Sequence, residues 1–427
     1  MSLDTPANVG PADRERTDAE TGGGDAEDAA TAGVEAVSSA PNRGSVCVFT
    51  TAHSATDARV VDREARSLAE AGHDVTYYTP RGDGADSPVD GVELRTYGSM
   101  ADENAVPGMG ERLRLASAAG RELAGTDYDV YHFHDAELLP VGAGLSATTD
   151  GAVVYDVHEN VRDVLGHKDF FPEPVREPLA SLAGGTELGL SRLVDALVVA
   201  SPDIAERFAR FDEVTTVTNY PRRSRAEHTD MDAQAAAATD GEATVAYCGL
   251  LSEERGITTL VDAVERVPEA YDVSLVLGGK YESDAFERRL TERAADSDRV
   301  EVRGWLPTLD DVVDMFREAD IGAFTFRPEP NKTDAVHRSN KLFQYMATGL
   351  PVVVSDVGEW STLVTDEDCG VPVDPRDPSA VADALAELTA DADRRVELAR
   401  NGHRAAMERY NWETQRDRLL DLYDELV

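Results

Sequence analysis

Two doubly wound α/β units in tandem are what this sequence predicts, and three observations lead there. The chain has 427 residues, and at roughly 100–200 residues per domain two domains is the natural expectation. Short, nearly continuous apolar runs alternate with longer stretches of helical pattern, which means parallel sheets covered on both faces by helices. The alternation breaks once, near the middle, and then restarts.

Residues 1–43 are poor in large apolar side chains and rich in Asp, Glu, Ala, Thr and Gly. Such a segment cannot bury enough surface to offset its ordering entropy, so a disordered acidic tail is expected. The first unit, 44–221, carries the runs SVCVFT (45–50), DVTYYT (74–79), DVYHFH (129–134), AVVYDV (152–157) and ALVVAS (196–201). After the first run, Val61, Ala65 and Leu68 fall at helical spacing, and Gly72 supplies a helix stop. Residues 222–243 read as a linker. Its arginines, Arg222, Arg223 and Arg225, offer either a dock for an anionic acceptor or lipid, or a solvated surface. The second unit, 244–408, carries TVAYCG (244–249), DVSLVLGG (272–279), VEVRGW (300–305), IGAFTF (321–326), PVVVSD (351–356) and GVPVD (370–374). Residues 409–427 read as a closing helix.

Charge is the unusual total. There are 82 Asp+Glu against 41 Lys+Arg, a formal net charge of −41. The basic residues are almost all arginine. Lysine stands only at Lys168, Lys280, Lys332 and Lys341. The acidity is spread along the chain rather than gathered in one tail. That pattern predicts a halophilic, haloarchaeal surface over an acidic partner-binding patch, because at molar salt the Debye length is only ~3 Å and self-repulsion is screened. No basic stripe is present, which excludes nucleic acid as a partner. Cys47, Cys248 and Cys369 give neither a disulfide framework nor a metal spacing. No run reaches the ~18–20 apolar residues of a membrane span, and the N-terminus has no signal-peptide pattern. A cytoplasmic protein is expected.

In open parallel sheets ligands bind beyond the carboxyl ends of the strands. The notable polar residues gather there. Thr51 and His53 follow the first run, His134 and Asp135 the third, and His158, Glu159 and Asn160 the fourth. In the second unit Gly249 opens a loop to Arg255, Gly278-Gly279-Lys280 follows the next run, and Asn340-Lys341 opens a helix. A Gly loop lets backbone approach a phosphate, a helix N-terminus presents free N–H groups to it, and a guanidinium adds a charge-assisted pair. Neither GxxxxGK[ST] nor GxGxxG occurs, which disfavours mononucleotide hydrolysis and dinucleotide redox. The pairs His134-Asp135 and His158-Glu159 are candidates for chemistry. A zinc site would want a spacing such as HExxH, and none is present.

These residues resemble the family 4 glycosyltransferases, GT-B enzymes with two Rossmann-like domains facing across a cleft. The resemblance runs from Ser45 to the C-terminus. It is carried by HSATDARVVDREARSLAEAGHDVTYYTP (53–80), YHFHDAELLP (131–140), VYDVHENVRD (154–163), YCGLLSEERGITTLVDAV (247–264), RGWLPTLDDVVDMFREADIGAFTF (303–326), SNKLFQYMATGLPVVVSDVGE (339–359) and YNWETQRDRLLDLYDEL (410–426). It implies retaining transfer of a sugar from a nucleotide diphosphate donor to a hydroxyl acceptor, without metal or other cofactor. The acceptor would be a glycan or a lipid-linked glycan, which permits peripheral association with the inner face of the membrane. On this reading Gly249, Arg255, Lys341, Asn340 and Lys280 hold the diphosphate, and Gln344 the ribose. His158 contacts the reacting sugar, Asp135 and His134 assist, and His53 and Glu159 lie on the acceptor side.

The pattern has departures. The family usually has Gly-Arg then Lys-Gly in the phosphate loop, where this chain has Leu250 and Arg255. It often has two glutamates spaced E-x7-E, where this chain has Val336 and Gln344. Two other readings follow: a non-catalytic donor-binding relative, or a nucleotide-sugar 2-epimerase on the same fold.

Overall fold

The computed structural model describes residues 43–81, 89–98, 107–167, 172–327 and 336–427. Apart from Arg43, the acidic tail expected over 1–43 lies outside the described residues.

The first sheet has seven parallel strands. They are β1 (Ser45–Phe49), β2 (Asp74–Thr79), β3 (Val92–Thr96), β4 (Val130–His134), β5 (Ala152–Val157), β6 (Ala196–Val199) and β7 (Val214–Thr216), in the spatial order β3-β2-β1-β4-β5-β6-β7. The second sheet has six. They are β8 (Glu242–Cys248), β9 (Asp272–Gly278), β10 (Val300–Gly304), β11 (Ile321–Phe324), β12 (Val352–Ser355) and β13 (Gly370–Val373), in the order β10-β9-β8-β11-β12-β13. Both are doubly wound. Each reverses direction beside its first strand, which opens a crevice at the carboxyl ends.

Strands β3 and β7 were not among the expected runs. Both are edge strands, and VELRT and VTT are largely exposed or half-buried. A strand with one open side has no need of a continuous apolar run, so its pattern reads as loop. The linker also differs from expectation. It holds two short helices, Arg223–Glu227 and Met231–Ala237, the second capped by the Asp230 carboxylate. Its arginines are tied down within the chain. Arg222 reaches Asp62, Arg223 reaches Asn411 at 3.3 Å, and Arg225 pairs with Asp310. These bonds staple the crossing between the units.

Alternate side chains of a strand face opposite sides of the sheet. On one side of the first sheet, Cys47, Phe49, Tyr131, Phe133 and Tyr155 form an apolar core. On the other, Val46, Val48, Val130 and Val154 pack with Val60, Leu68 and the C-terminal helix Trp412–Leu426. That helix comes back from the end of the chain to finish the first unit's core. Trp412 is fully buried and donates from Nε1 to Ser67 Oγ at 2.8 Å. Gln415 Oε1 accepts from the Thr218 backbone N–H at 3.0 Å. All three cysteines are buried and free.

Replacing Trp412 by Ala should cost about 3–5 kcal/mol, the range for emptying a large buried aromatic site. Urea unfolding measures it. A loss under about 1 kcal/mol would show that the helix is not docked as described.

Candidate active site

Parity along β4 and β5 places three polar side chains on the valine-lined face, at its carboxyl end. His132 and His134 are two residues apart and point the same way, with rings stacked at 4.8 Å. Asp156 stands opposite His134 in the next strand. All three are buried. Above them runs a π-helix, Val60–Ala65, entered through Arg59.

Arg59 is the cation of this buried end. Its guanidinium donates to both Asp156 oxygens at 3.1 and 2.9 Å, to the Val217 carbonyl at 2.8 Å, and pairs with Glu64 at 2.9 Å. Burial alone would raise the Asp156 pKa, but the Arg59 charge overrides it and holds the carboxyl well below the ordinary range. Glu64 goes the other way. Burial, helped by the Asp156 charge and opposed by Arg59, pushes it well above the ordinary carboxylate range. Within the cluster Asp156 is thus driven toward its anion and Glu64 toward its neutral form.

His158 lies just past β5 at the mouth of this cluster, with 19% of its side chain exposed. Its Nε2 points inward, 3.2 Å from Asp156 Oδ1 and 2.8 Å from His134 Nδ1. Burial lowers its pKa against the pull of Asp156, which favours the neutral ring. Among the described residues, Nδ1 has no partner and is the nitrogen left for a ligand. His53 sits 5.1 Å from His158, ring to ring. Burial would lower its pKa too, but Asp57, bonded to Nδ1 at 2.9 Å, more than offsets this and raises it. Two neighbouring imidazoles are thus pushed in opposite directions, His53 toward the charged form and His158 toward the neutral one.

The expected catalytic and acceptor-side residues fall in different places. His158 and His53 reach the surface. His134 does not: it is fully buried, with Nδ1 on His158 and Nε2 3.5 Å from Glu64. Asp135 is engaged by its neighbours. It accepts from Thr50 Oγ1 at 2.5 Å, Thr51 N–H at 2.8 Å and Arg112 at 2.6 Å. Its backbone φ of 115° is rare for a residue with a Cβ and costs on the order of 1–3 kcal/mol. Those three bonds hold it there. Both residues are thereby held by neighbours within the chain. Glu159 is exposed beside them. Arg59, Glu64, Asp57, Arg112 and Asp156 were not singled out in the sequence. Their only signal was charge within an otherwise apolar pattern.

Glu64, His132, His134 and Asp156 also place four ligand-type atoms within 4.8 Å of one another. No linear motif announces this group, because three chain segments build it. Arg59 bonds both oxygens of Asp156 and stands 2.9 Å from Glu64, so a permanent cation already lies against this group.

The second unit is built the opposite way. Gly249, Gly279 and Gly304 end β8, β9 and β10 and interlock. A Cβ on Gly279 would lie 1.7 Å from the Gly249 carbonyl oxygen. Lys341, in the first turn of the helix Asn340–Ala347, lays its ammonium across Gly249, where a Cβ would come within 2.6 Å of Nζ. The helix has no side-chain cap, and the Asn340 Oδ1 atom is buried without a partner. Arg255 approaches from the loop before the helix Ile257–Val264. Lys341 Nζ and the Arg255 guanidinium stand 5.5 and 6.0 Å from the Phe324 ring. Among the described residues neither has a carboxylate partner. Burial first, then the Arg255 charge, pushes Lys341 down to about 8. Lys280 lies apart from them, exposed, its Nζ 4.3 Å over the Trp305 ring. Its backbone carbonyl accepts from Leu251 N–H at 2.7 Å and so braces the Gly249 loop. Gln344 lines a small recess between the units, together with Arg63, Arg222 and Thr348.

Comparisons with known proteins match both units. The model described as Glycosyltransferase Family 4 matches residues 58–219, and that described as Glycosyl transferases group 1 matches 242–391. A D-inositol 3-phosphate glycosyltransferase from Xylanimonas cellulosilytica is 28% identical over 390 residues, covering 84% of this chain and 88% of the relative. A phosphatidyl-myo-inositol mannosyltransferase from Mycobacterium tuberculosis is 24% identical over 332 residues, covering 74% and 80%. Among solved structures, sucrose-phosphate synthase from Thermosynechococcus elongatus superposes with a TM-score of 0.66 at 19% identity, covering 90% of this chain and 98% of that one. HepE from Anabaena, in complex with UDP, gives 0.65 at 16%, covering 89% and 100%. Those structural likenesses show the two-domain GT-B fold. With one glycosyltransferase model on each unit, and most of the chain matched between them, this chain belongs to the family 4 and group 1 glycosyltransferases.

Proposed function

We propose that the chain moves a sugar from a nucleoside diphosphate sugar to a hydroxyl acceptor, with retention and without metal. One observation carries the donor side. In a chain of net charge −41, Arg255 and Lys341 converge on one ring and neither has a carboxylate partner among the described residues. Two cations kept apart from so many acids are arranged for an anion that arrives from outside. A diphosphate leaving group needs that charge, and the uncapped helix N-terminus adds N–H donors to it. The HepE complex, which holds UDP, supports the same donor class.

On the other wall His158 offers a neutral imidazole whose free Nδ1 accepts from a sugar hydroxyl. His134 and Asp135 act behind it, as supports. His53 and Glu159 lie at the open edge where an acceptor would approach. Lys280 stiffens the phosphate loop through its backbone. Gln344, at the recess, meets the ribose by hydrogen bonds and brings no charge. The spread acidity fits work in molar salt. No helix among the described residues is long and apolar enough to cross a membrane, so a lipid-linked acceptor would be met at a surface.

Arg255→Ala should abolish release of free nucleotide from a panel of nucleotide sugars in multimolar KCl, with the melting temperature nearly unchanged. Unaltered turnover would sink the phosphate assignment. Donor binding with no transfer to any acceptor would favour a donor-binding relative, and acceptor-free epimerisation a 2-epimerase.

The Lys341 ammonium gives a pH signature. With a pKa pushed down to about 8, it is charged below that value and neutral above. Affinity for UDP or GDP should therefore fall as pH rises through 8. Binding at pH 8 should take up protons, because the anion raises the lysine's pKa. Calorimetry in buffers of different ionisation enthalpy measures this, and Lys341→Ala should remove it. Gly249→Ala pushes the same ammonium aside and should weaken nucleotide about tenfold, near 1.4 kcal/mol. An unchanged Kd would mean that Lys341 does not meet the phosphates.

A further inference from the structure

His158 Nε2 has two inward partners and one place for a proton. His134 Nδ1, at 2.8 Å, can either accept from it or donate to it. Asp156 Oδ1, at 3.2 Å, can only accept while it is ionised. A lone pair on Nε2 would face that carboxylate and be repelled. Asp156 also faces His134 Nδ1, but at 3.7 Å, so the shorter contact favours the proton on His158 Nε2 and leaves Nδ1 with the outward lone pair. If Asp156 lost its charge, nothing would hold this choice. His134 Nδ1–H could donate to His158 Nε2 instead, and the outward Nδ1 would become a donor.

Every element packed here bears on that one carboxylate. The π-helix brings Arg59 and Glu64, and β4 brings His132 and His134. The C-terminal helix brings Tyr423, whose hydroxyl is 2.7 Å from His132 Nδ1. The loop after β1 brings His53 and Asp57. Among the groups that touch Asp156, Arg59 alone is a permanent cation, and it binds both oxygens.

We propose that Arg59 is a positioning residue: by keeping Asp156 ionised it fixes the tautomer of His158, so that Nδ1 meets the ligand as an acceptor of hydrogen bonds. The couple is thus a specificity device. An acceptor nitrogen pairs with a sugar hydroxyl that donates. A donor nitrogen in the same place would pair instead with an ether, carbonyl or phosphate oxygen. The kinetic consequence rests on the reading of His158 as a sugar contact. The tautomer itself does not.

The test uses the full chain with 15N-labelled histidine, and long-range 1H–15N correlation to read which nitrogen of His158 is protonated. His158→Asn assigns the signal. The wild type should show a protonated Nε2 and a bare Nδ1, and the opposite pattern overturns the proposal without any variant. Asp156→Asn, nearly isosteric, and Arg59→Gln should move the proton toward Nδ1, whereas Arg59→Lys should keep the wild-type pattern. An unchanged pattern in Asp156→Asn also overturns it. In steady-state assays Asp156→Asn should lower kcat on the order of 100-fold, as losing one aimed hydrogen bond does, and leave the donor KM near its original value. If no transfer is found in the wild type, the functional reading fails while the tautomer result stands.

Discussion

The two-pronged contact between Arg59 and Asp156 is the constraint on which the first unit's ligand-facing end depends. Either ion alone, in that interior, would cost several kcal/mol to strip of water. Together they offset that cost, and the guanidinium also donates to the Val217 carbonyl and lies 2.9 Å from a Glu64 oxygen. One side chain thus joins the π-helix, β5 and the chain leaving β7. The histidines of β4 then pack against a fixed anion rather than a mobile one. Pairing is what lets a polar cluster sit on a valine face without destroying the core. It also explains why Glu64 is pushed toward neutrality: a second full negative charge there would have no cation of its own.

The second unit solves the reverse problem. Its cations are left incomplete. Burial strips Lys341 of water and Arg255 repels it across Phe324, which is why the lysine's pKa falls. A charge kept at a cost within the fold is available to stabilise an incoming one. In a chain with twice as many acids as bases, keeping carboxylates away from this spot is itself a structural feature. Glu253 is the near case, and it is engaged by Arg327 and Thr258. Gly249 and Gly279, at adjoining strand ends, keep side-chain bulk out of the same space.

Much of the fold was legible because parallel strands are buried on both faces and so read as apolar runs. The edge strands β3 and β7 were not, since one open side lets Glu93, Arg95 and Thr215 into the pattern. At the site, strand-end position was legible and direction was not. His134 and His158 look alike in sequence. The pleat turns the first inward against Glu64, while the second, beyond the strand's end, keeps one nitrogen free. Arg59 and Glu64 look like the charges of any surface helix. Only the docking of that helix on β4 and β5 makes them interior. Asp135 carried a functional signal for a different reason. Its carboxylate secures a strained turn, and sequence alone does not separate a residue that shapes a site from one that touches the substrate.

The crossing helix shows why the two units cannot be treated as independent modules. His132 finds its Tyr423 partner 291 residues away, and Ser67 meets Trp412 at a separation of 345. The face of the first sheet that carries the histidines is therefore finished by the last segment of the chain, after the second unit has been made. The two units are also joined directly, by Tyr220 with His337 at 2.7 Å and Asp203 with Arg338 at 3.0 Å. A chain ending at the linker would lose more than the wall that holds the nucleotide. It would uncover Val46, Val48 and Val130 and leave His132 without its hydroxyl. The Arg59–Asp156 pair would then be open to water, which weakens the contact that sets His158. The wall that faces the sugar is in this sense a product of the whole chain.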